Sequence, residues 1–160
     1  MCIKANHMKQ ILPILTLFIS VNFYSQITHP LDGTNIKQLN CSESVPYYDP
    51  GGNQGNYYSN VMSEQQFTVP AGGHVIEIDF NNLFDVKSDG AGGCEDYVEI
   101  YDGAIGGGGT LIGLYCNILP PGIITSTGNA ITVKFYSDGA NNHQGWVATV
   151  TAVDILNPQG

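Results

Sequence analysis

Short segments that alternate apolar and polar residues are the feature that most constrains the fold of this chain. Residues 75–80 and 96–101 both alternate with a period of two, which is typical of half-buried β-strands. Asp102-Gly103 and Pro120-Pro121-Gly122 are turn sequences between such segments. About eight strands follow one another at this spacing, and no helical period interrupts them. The pattern predicts an all-β domain built as a β-sandwich of two antiparallel sheets.

The first 25 residues differ from the rest. Lys4 and Lys9 precede an apolar run over residues 11–19, and small polar residues lead on to Ser25. This order is typical of a secretory signal peptide, and the apolar run is short for a membrane span. We therefore predict a signal peptide over 1–25, an N-terminal arm over 26–40 able to add an edge strand, a domain over 41–153 and a C-terminal tail over 154–160. The mature protein would be secreted or lie at the cell surface, with no membrane span.

The chain is acidic. Of 160 residues, 14 are Asp or Glu and five are Lys or Arg, all five of them lysines. Loss of Lys4 and Lys9 with the signal peptide leaves three lysines against the 14 acids, a net charge of −11. Such a surface repels phosphate backbones, which excludes nucleic acid as a partner and favours a basic one.

Cysteine usage agrees with export. Cys94 and Cys116 flank a strand–turn–strand unit, and an oxidising compartment favours a disulfide bridge between them. Cys41 is then the odd cysteine of the mature chain, and is buried, reactive or paired with another chain.

Familiar catalytic motifs are absent from the sequence. There is no Gly-x-Ser-x-Gly, His-Glu-x-x-His or phosphate-binding Gly-x-x-x-x-Gly-Lys motif. His29, His74 and His143 lie in separate predicted loops, which favours structural or solvated roles. We predict that the chain is not an enzyme.

Acidic residues stand at several strand ends. Asp85 ends one predicted strand, Asp96 opens another, and Asp138 follows a third, close to the amides of Asn141 and Asn142. Strand ends meet at one edge of a sandwich, and oxygen donors of this kind suit calcium. The alternative is that these residues form turns through local hydrogen bonds, and spacing alone favours that alternative.

A longer set of motifs resembles a CUB domain, from about Cys41 to Val153. In chain order they are Cys41, Tyr48-Asp-Pro-Gly-Gly, Gly55-Asn-Tyr, Leu83-Phe-Asp, Cys94-Glu-Asp-Tyr-Val-Glu-Ile-Tyr-Asp-Gly, Leu111-Ile-Gly-Leu-Tyr-Cys, Ser126-Thr-Gly-Asn, Phe135-Tyr-Ser-Asp and Gly145-Trp. The resemblance implies a jelly-roll sandwich that serves secreted proteins as a non-catalytic binding module, often attached to proteases.

The resemblance also implies a calcium site. Its tyrosine falls on Tyr58 or the neighbouring Tyr57, and its aspartates fall on Asp96 and Asp138. The amide of Asn141 and a backbone carbonyl near Ala140 would complete the ligand set.

One position departs from the family pattern. Lys87 stands two residues after Asp85, where the family has a glutamate, and an ammonium beside a divalent cation is unfavourable. Asp85 or Asp89 would supply the missing carboxylate if their loop turned inward. Calcium is accordingly an expected cofactor that depends on this loop.

The cysteines match the family in part. Cys94 and Cys116 match its second disulfide bridge, whereas the partner position for Cys41 falls near Val69. The resemblance thus predicts that this bridge is absent and that Cys41 is free.

We predict a secreted module that recognises a basic protein or glycan ligand through the loops over residues 50–60, 85–95 and 138–144. One alternative is a non-catalytic accessory domain of a larger secreted hydrolase or protease. Another is a structural component of a surface assembly, crosslinked through Cys41.

Overall fold

The computed structural model describes residues 25–104, 106 and 108–156. The predicted signal peptide, apart from Ser25, and the last four residues of the predicted tail lie outside this part of the chain. Within the described residues, no helix is long and apolar enough to cross a membrane.

Ten strands and one 3₁₀ turn make up the described structure. The strands are β1 (Ile27–Thr28), β2 (Asp32–Gln38), β3 (Ser44–Tyr48), β4 (Met62–Thr68), β5 (His74–Asp85), β6 (Tyr97–Asp102), β7 (Thr110–Tyr115), β8 (Ile123–Thr125), β9 (Ala130–Tyr136) and β10 (Gly145–Asp154), and the 3₁₀ turn is Gly52–Gln54. The all-β prediction is confirmed.

The strands form two five-stranded sheets, in the orders β1-β3-β10-β5-β8 and β2-β4-β9-β6-β7. Pairing between strands β3 to β10 is antiparallel, as predicted, but β1 pairs with β3 and β2 with β4 in parallel. Both parallel strands belong to the N-terminal arm. Each lies at a sheet edge and is not joined to its partner by a hairpin, so nothing requires an antiparallel direction. The arm therefore contributes one strand to each sheet of a jelly-roll sandwich.

The core lies between the two sheets, where the period-two pattern places it. Ile76, Ile78 and Phe80 of β5 are fully buried, while Glu77 and Asp79 between them are partly exposed. Trp146 of β10 is also fully buried and makes edge-on ring contacts with His29 and Phe135. The sandwich is thus held by a continuous apolar layer with Trp146 near one end.

Cys41 corrects the sequence prediction. It is disulfide-bonded, so the inference of a free thiol is wrong. That inference considered only the family's partner position, which Val69 holds. The alternative of an assembly crosslinked through Cys41 rested on that inferred thiol and is no longer supported by it. The predicted bridge between Cys94 and Cys116 is present.

One end of the sandwich gathers the loops of interest. Gly145 pairs with Asp85, and Tyr136 pairs with both Met62 and Tyr97. The starts of β4, β6 and β10 therefore meet the ends of β5 and β9 at the same end. We call the loops at this end, residues 49–61, 86–96 and 137–144, the rim.

Two buried ionisable groups near Trp146 contribute to stability with opposite pH dependence. Burial lowers the pKa of His29 to about 3. Burial raises the pKa of Asp49 to about 7, against hydrogen bonds donated by the backbone N–H groups of Gly51 and Trp146. Between pH 5 and 6.5, unfolding therefore protonates His29, whereas it releases a proton from Asp49.

We expect these two effects nearly to cancel. In that pH window, the His29 contribution to the free energy of unfolding rises with pH and the Asp49 contribution falls, each by about 1.4 kcal/mol per pH unit. Acidification from pH 6.5 to 5 should destabilise Asp49→Asn by about 2 kcal/mol and stabilise His29→Gln by about as much. Urea unfolding at several pH values measures this. Identical pH profiles for the wild type and both variants would contradict it.

Candidate binding rim

The backbone of Lys87 is fixed on both sides. Its N–H donates to the hydroxyl of Tyr57 at 3.2 Å, and its carbonyl accepts from the N–H of Asp96 at 3.2 Å. The preceding residue, Val86, exchanges two backbone hydrogen bonds with Asn117. The chain that leaves β5 is thereby held against the entrance to β6, and this fixes the point from which the Lys87 side chain starts.

A buried hydrogen-bond chain runs beneath this point. The Tyr57 hydroxyl donates to Asp96 Oδ2 at 2.6 Å, and the Asp138 N–H donates to Asp96 Oδ1 at 2.7 Å. Asp96 and Tyr57 are almost completely buried. Burial, followed by the bond to Asp96, raises the pKa of the Tyr57 hydroxyl. Asp96 therefore acts as a buried acceptor that joins two loops of the rim.

The ammonium of Lys87 lies among oxygens from the far end of its own loop and from the 137–144 loop. Its Nζ is 2.5 Å from Glu95 Oε2, 3.0 Å from Asp138 Oδ2 and 3.0 Å from the carbonyl oxygen of Ala140. Only 8% of Lys87 is exposed. An ammonium has three N–H donors, so each donor has one acceptor. The charge is buried but fully paired.

The ionisation of this group follows from its contacts. Hydrogen bonds to Glu95 and then to Asp138 raise the pKa of the Lys87 ammonium. The N–H of Ala140 donates to Asp138 Oδ1 at 2.9 Å, and this bond, followed by that from Lys87, lowers the pKa of Asp138. Both residues are therefore charged at neutral pH.

Further hydrogen bonds tie the 49–61 loop to the 137–144 loop. The hydroxyl of Ser137 accepts from the N–H of Val61 and donates to the carbonyl of Tyr58. The N–H of Asn60 donates to the carbonyl of Asp138 at 2.7 Å. Because these bonds fix the backbone at Tyr58, its side chain, which is 54% exposed, projects from an ordered loop.

The predicted site residues separate into two groups. Asp96, Asp138, the Ala140 carbonyl and Tyr57, the alternative to Tyr58, come together. Asp85 instead contacts His143, with 2.8 Å between Oδ1 and Nδ1.

Two further candidates also have local roles. Asp89 accepts from the N–H groups of Ala91 and Gly93 and so closes its own loop. Asn141 adopts a left-handed backbone conformation with φ of 60°. The hydrogen bonds of Asp89 are thus made within its own loop and not with Lys87.

Sequence reasoning missed how two residues act together. The sequence patterns assign no role to Glu95 and indicate Lys87 only as an obstacle to calcium. The available signal was their charge: a lysine and a glutamate flank the same Gly-rich loop that the Cys94 bridge closes.

The residues present do not fit a divalent cation while Lys87 holds this position. The described part of the chain contains no group of three or more His, Cys, Asp or Glu side chains able to hold a metal ion. Calcium prefers six to eight oxygen ligands at 2.3–2.6 Å, and here the ammonium contacts the oxygens of Glu95, Asp138 and Ala140 instead.

Comparison with known proteins supports the resemblance. Human membrane frizzled-related protein is 31% identical over 130 residues, which is 80% of this chain and 21% of that protein. Zebrafish (Danio rerio) neuropilin-1a is 34% identical over 96 residues, 59% of this chain and 10% of that protein. The chain thus spans about a fifth or less of the length of these relatives.

Solved structures share the fold at lower identity. The CUB1-EGF-CUB2 domain of human MASP-1/3 matches 74% of this chain and 41% of its own with a TM-score of 0.63 and 18% identity. The MASP-1 CUB2 domain bound to Ca2+ matches 69% of this chain and 95% of its own with a TM-score of 0.58 and 18% identity. The family model for the CUB domain matches residues 42–150. This chain therefore belongs to the CUB domain family.

Proposed function

We propose that this chain is a secreted or cell-surface, non-catalytic module that binds a basic segment of an extracellular protein at the rim. The observation that carries the proposal is the charge around Lys87. The carboxylates of Glu95 and Asp138 both contact one ammonium, so two carboxylates face a single cation. Glu95 and Asp138 are partly exposed, so a cation of a partner has access to them.

Tyr58 adds an apolar contact to this acidic surface. Its ring is exposed on a loop that is anchored through Ser137. Tyrosines in such positions give large contact area for little loss of conformational entropy, and they are frequent among the residues that dominate binding energy. A lysine or arginine of the ligand beside an apolar residue would fit this pair of features.

The test measures binding of lysine-containing synthetic peptides to the immobilised full chain and selects those that bind. Peptides with glutamine in place of lysine are the controls. We expect Glu95→Gln and Tyr58→Ala each to weaken binding of the selected peptides by about tenfold. Glu77→Gln, an acid in the middle of β5 and away from the rim, should leave binding unchanged. Because the attraction is between charges, the affinity should also fall between 50 and 300 mM salt. Salt-independent binding, or equal binding by the rim variants, would contradict the proposal.

Calcium-dependent recognition is the second candidate. It is favoured by the similar fold of the MASP-1 CUB2 domain bound to Ca2+ and by the oxygens of Asp138 and Ala140 at the rim. The contacts of Lys87 with those same oxygens argue against it. Repeating the peptide measurement with a chelator distinguishes the two, because only the calcium-dependent mode loses affinity.

A role as an accessory domain of a larger secreted protein is compatible with either mode. It is favoured by relatives in which the matching region is 21% and 10% of the protein. The sequence also predicts a glycan as an alternative ligand. If replacing lysine by glutamine in the peptides did not change their binding, the result would argue against a basic protein segment as the ligand.

A further inference from the structure

We infer that the ammonium of Lys87 replaces a metal ion as the cation that holds the rim together, so that the rim is ordered without calcium. The inference concerns how the loops are held and does not depend on the proposed ligand.

The contacts of Lys87 cross-connect separate loops. The lysine follows β5, Glu95 precedes β6, and Asp138 and Ala140 follow β9. Lys87 and Glu95 stand at the two ends of the 86–96 loop, and Asp138 and Ala140 belong to the 137–144 loop. A single cation at Nζ therefore joins parts of the rim that strand pairing within the sheets does not connect. This is the mechanical role that a bound cation would have.

The number of donors matches the number of acceptors. Three oxygens lie within 3.0 Å of Nζ, and an ammonium donates three hydrogen bonds. A calcium ion would need six to eight oxygens at shorter distances. The three protein oxygens thus match the three donors of an ammonium, whereas calcium would need at least three further ligands.

Electrostatics makes the two cations exclusive. A divalent ion bound to Asp138 and Ala140 would lie within a few ångströms of the ammonium, and two cations at that distance repel strongly in a buried setting. Calcium binding would therefore require Lys87 to leave its three acceptors. The backbone of Lys87 is fixed through Tyr57 and Asp96, so calcium could displace the ammonium only by rotation of the side chain away from its three acceptors.

The test compares the full chain with three variants in 5 mM calcium and in 5 mM chelator. Lys87→Glu restores a carboxylate, Lys87→Gln removes the charge alone, and Lys134→Gln is the matched control for the loss of one positive charge. Lys134 forms an ion pair with Glu64 at 2.9 Å between β9 and β4, on the sheet and not at the rim. Thermal unfolding and titration calorimetry with calcium chloride are the measurements.

We expect the midpoint of the wild type to change by less than about 1 °C between the two conditions, with no heat of calcium binding. Both Lys87 variants should unfold at lower temperature than the wild type in chelator. Calcium should raise the midpoint of Lys87→Glu by about 5 °C with one ion bound, and should not affect Lys134→Gln.

Stoichiometric calcium binding by the wild type, with a rise in its midpoint, would overturn the inference. So would a Lys87→Glu variant that folds and binds no calcium, because the ammonium would then not occupy a place fit for a cation. If Lys87→Glu does not fold in either condition, Lys87→Gln decides the question: a midpoint in chelator equal to that of the wild type shows that the ammonium does not hold the rim.

Discussion

Replacement of Asp96 by alanine is expected to lower the free energy of unfolding by about 3–4 kcal/mol, the largest effect among the substitutions considered. The carboxylate of Asp96 is fully buried and accepts from the Tyr57 hydroxyl and from the N–H of Asp138. Alanine leaves both donors buried without an acceptor, and each such loss costs about 1–3 kcal/mol. Urea unfolding at neutral pH measures the change.

Two companion variants identify the cause. Tyr57→Phe removes a donor to Asp96 and the acceptor of the Lys87 N–H, and should still have a smaller effect, about 1–2 kcal/mol, because Asp96 still accepts from Asp138. The double variant with Asp96→Ala should then be less than additive, since both changes break the same hydrogen bond. Glu77→Ala, at a partly exposed acid on β5, should change stability by less than about 0.5 kcal/mol. If Asp96→Ala behaved like Glu77→Ala, the buried hydrogen-bond chain would not be a stabilising element.

Removal of the bridge between Cys94 and Cys116 is expected to cost about 3 kcal/mol. The bridge closes a segment with a sequence separation of 22 residues, and a loop of this size restricts the unfolded chain by about that free energy. The double variant Cys94→Ala with Cys116→Ala tests this bridge alone, whereas a reducing agent would also open the disulfide of Cys41. The free energy of unfolding from urea titration is the measurement.

The same variant should loosen the rim. Cys94 immediately precedes Glu95 and Asp96, so the bridge fixes the segment that presents acceptors to Lys87 and Tyr57. We expect faster amide hydrogen exchange in residues 86–96 than in β5, whose pairing with β10 and β8 is unaffected. Uniform exchange across both regions, or a loss of stability below about 1 kcal/mol, would contradict this role.

Most of the fold could be predicted because its signals are local. The alternation at Ile76, Ile78 and Phe80 predicts both a strand and its buried face, and the structure has both. The parallel pairing of β1 with β3 and of β2 with β4 could not be predicted in this way. An edge strand that is not joined to its partner by a hairpin takes its direction from the path of the chain across the sandwich, and no short pattern in the arm records that path.

The candidate site shows a different limit. Spacing alone favours local turns, whereas the resemblance assigns Asp96 and Asp138 to one site; in the structure the Asp138 N–H donates to Asp96 Oδ1 at 2.7 Å. The choice between Tyr57 and Tyr58 depends on which of the two side chains faces the core. Two adjacent tyrosines show no apolar–polar alternation, so the sequence does not indicate which one is buried. The position of the Lys87 ammonium depends on contacts with the far end of its own loop and with the 137–144 loop. Spacing along the chain carries no information about such contacts, although charge indicated that Lys87 required a partner.

A high-resolution crystal structure of the wild-type chain grown in millimolar calcium at neutral pH tests the central claim most directly. The account predicts the Lys87 ammonium within hydrogen-bonding distance of Glu95, Asp138 and the Ala140 carbonyl, with no metal density among them. Density for an ion 2.3–2.6 Å from the oxygens of Asp138 and Ala140, with the Lys87 side chain turned out into solvent, would contradict it.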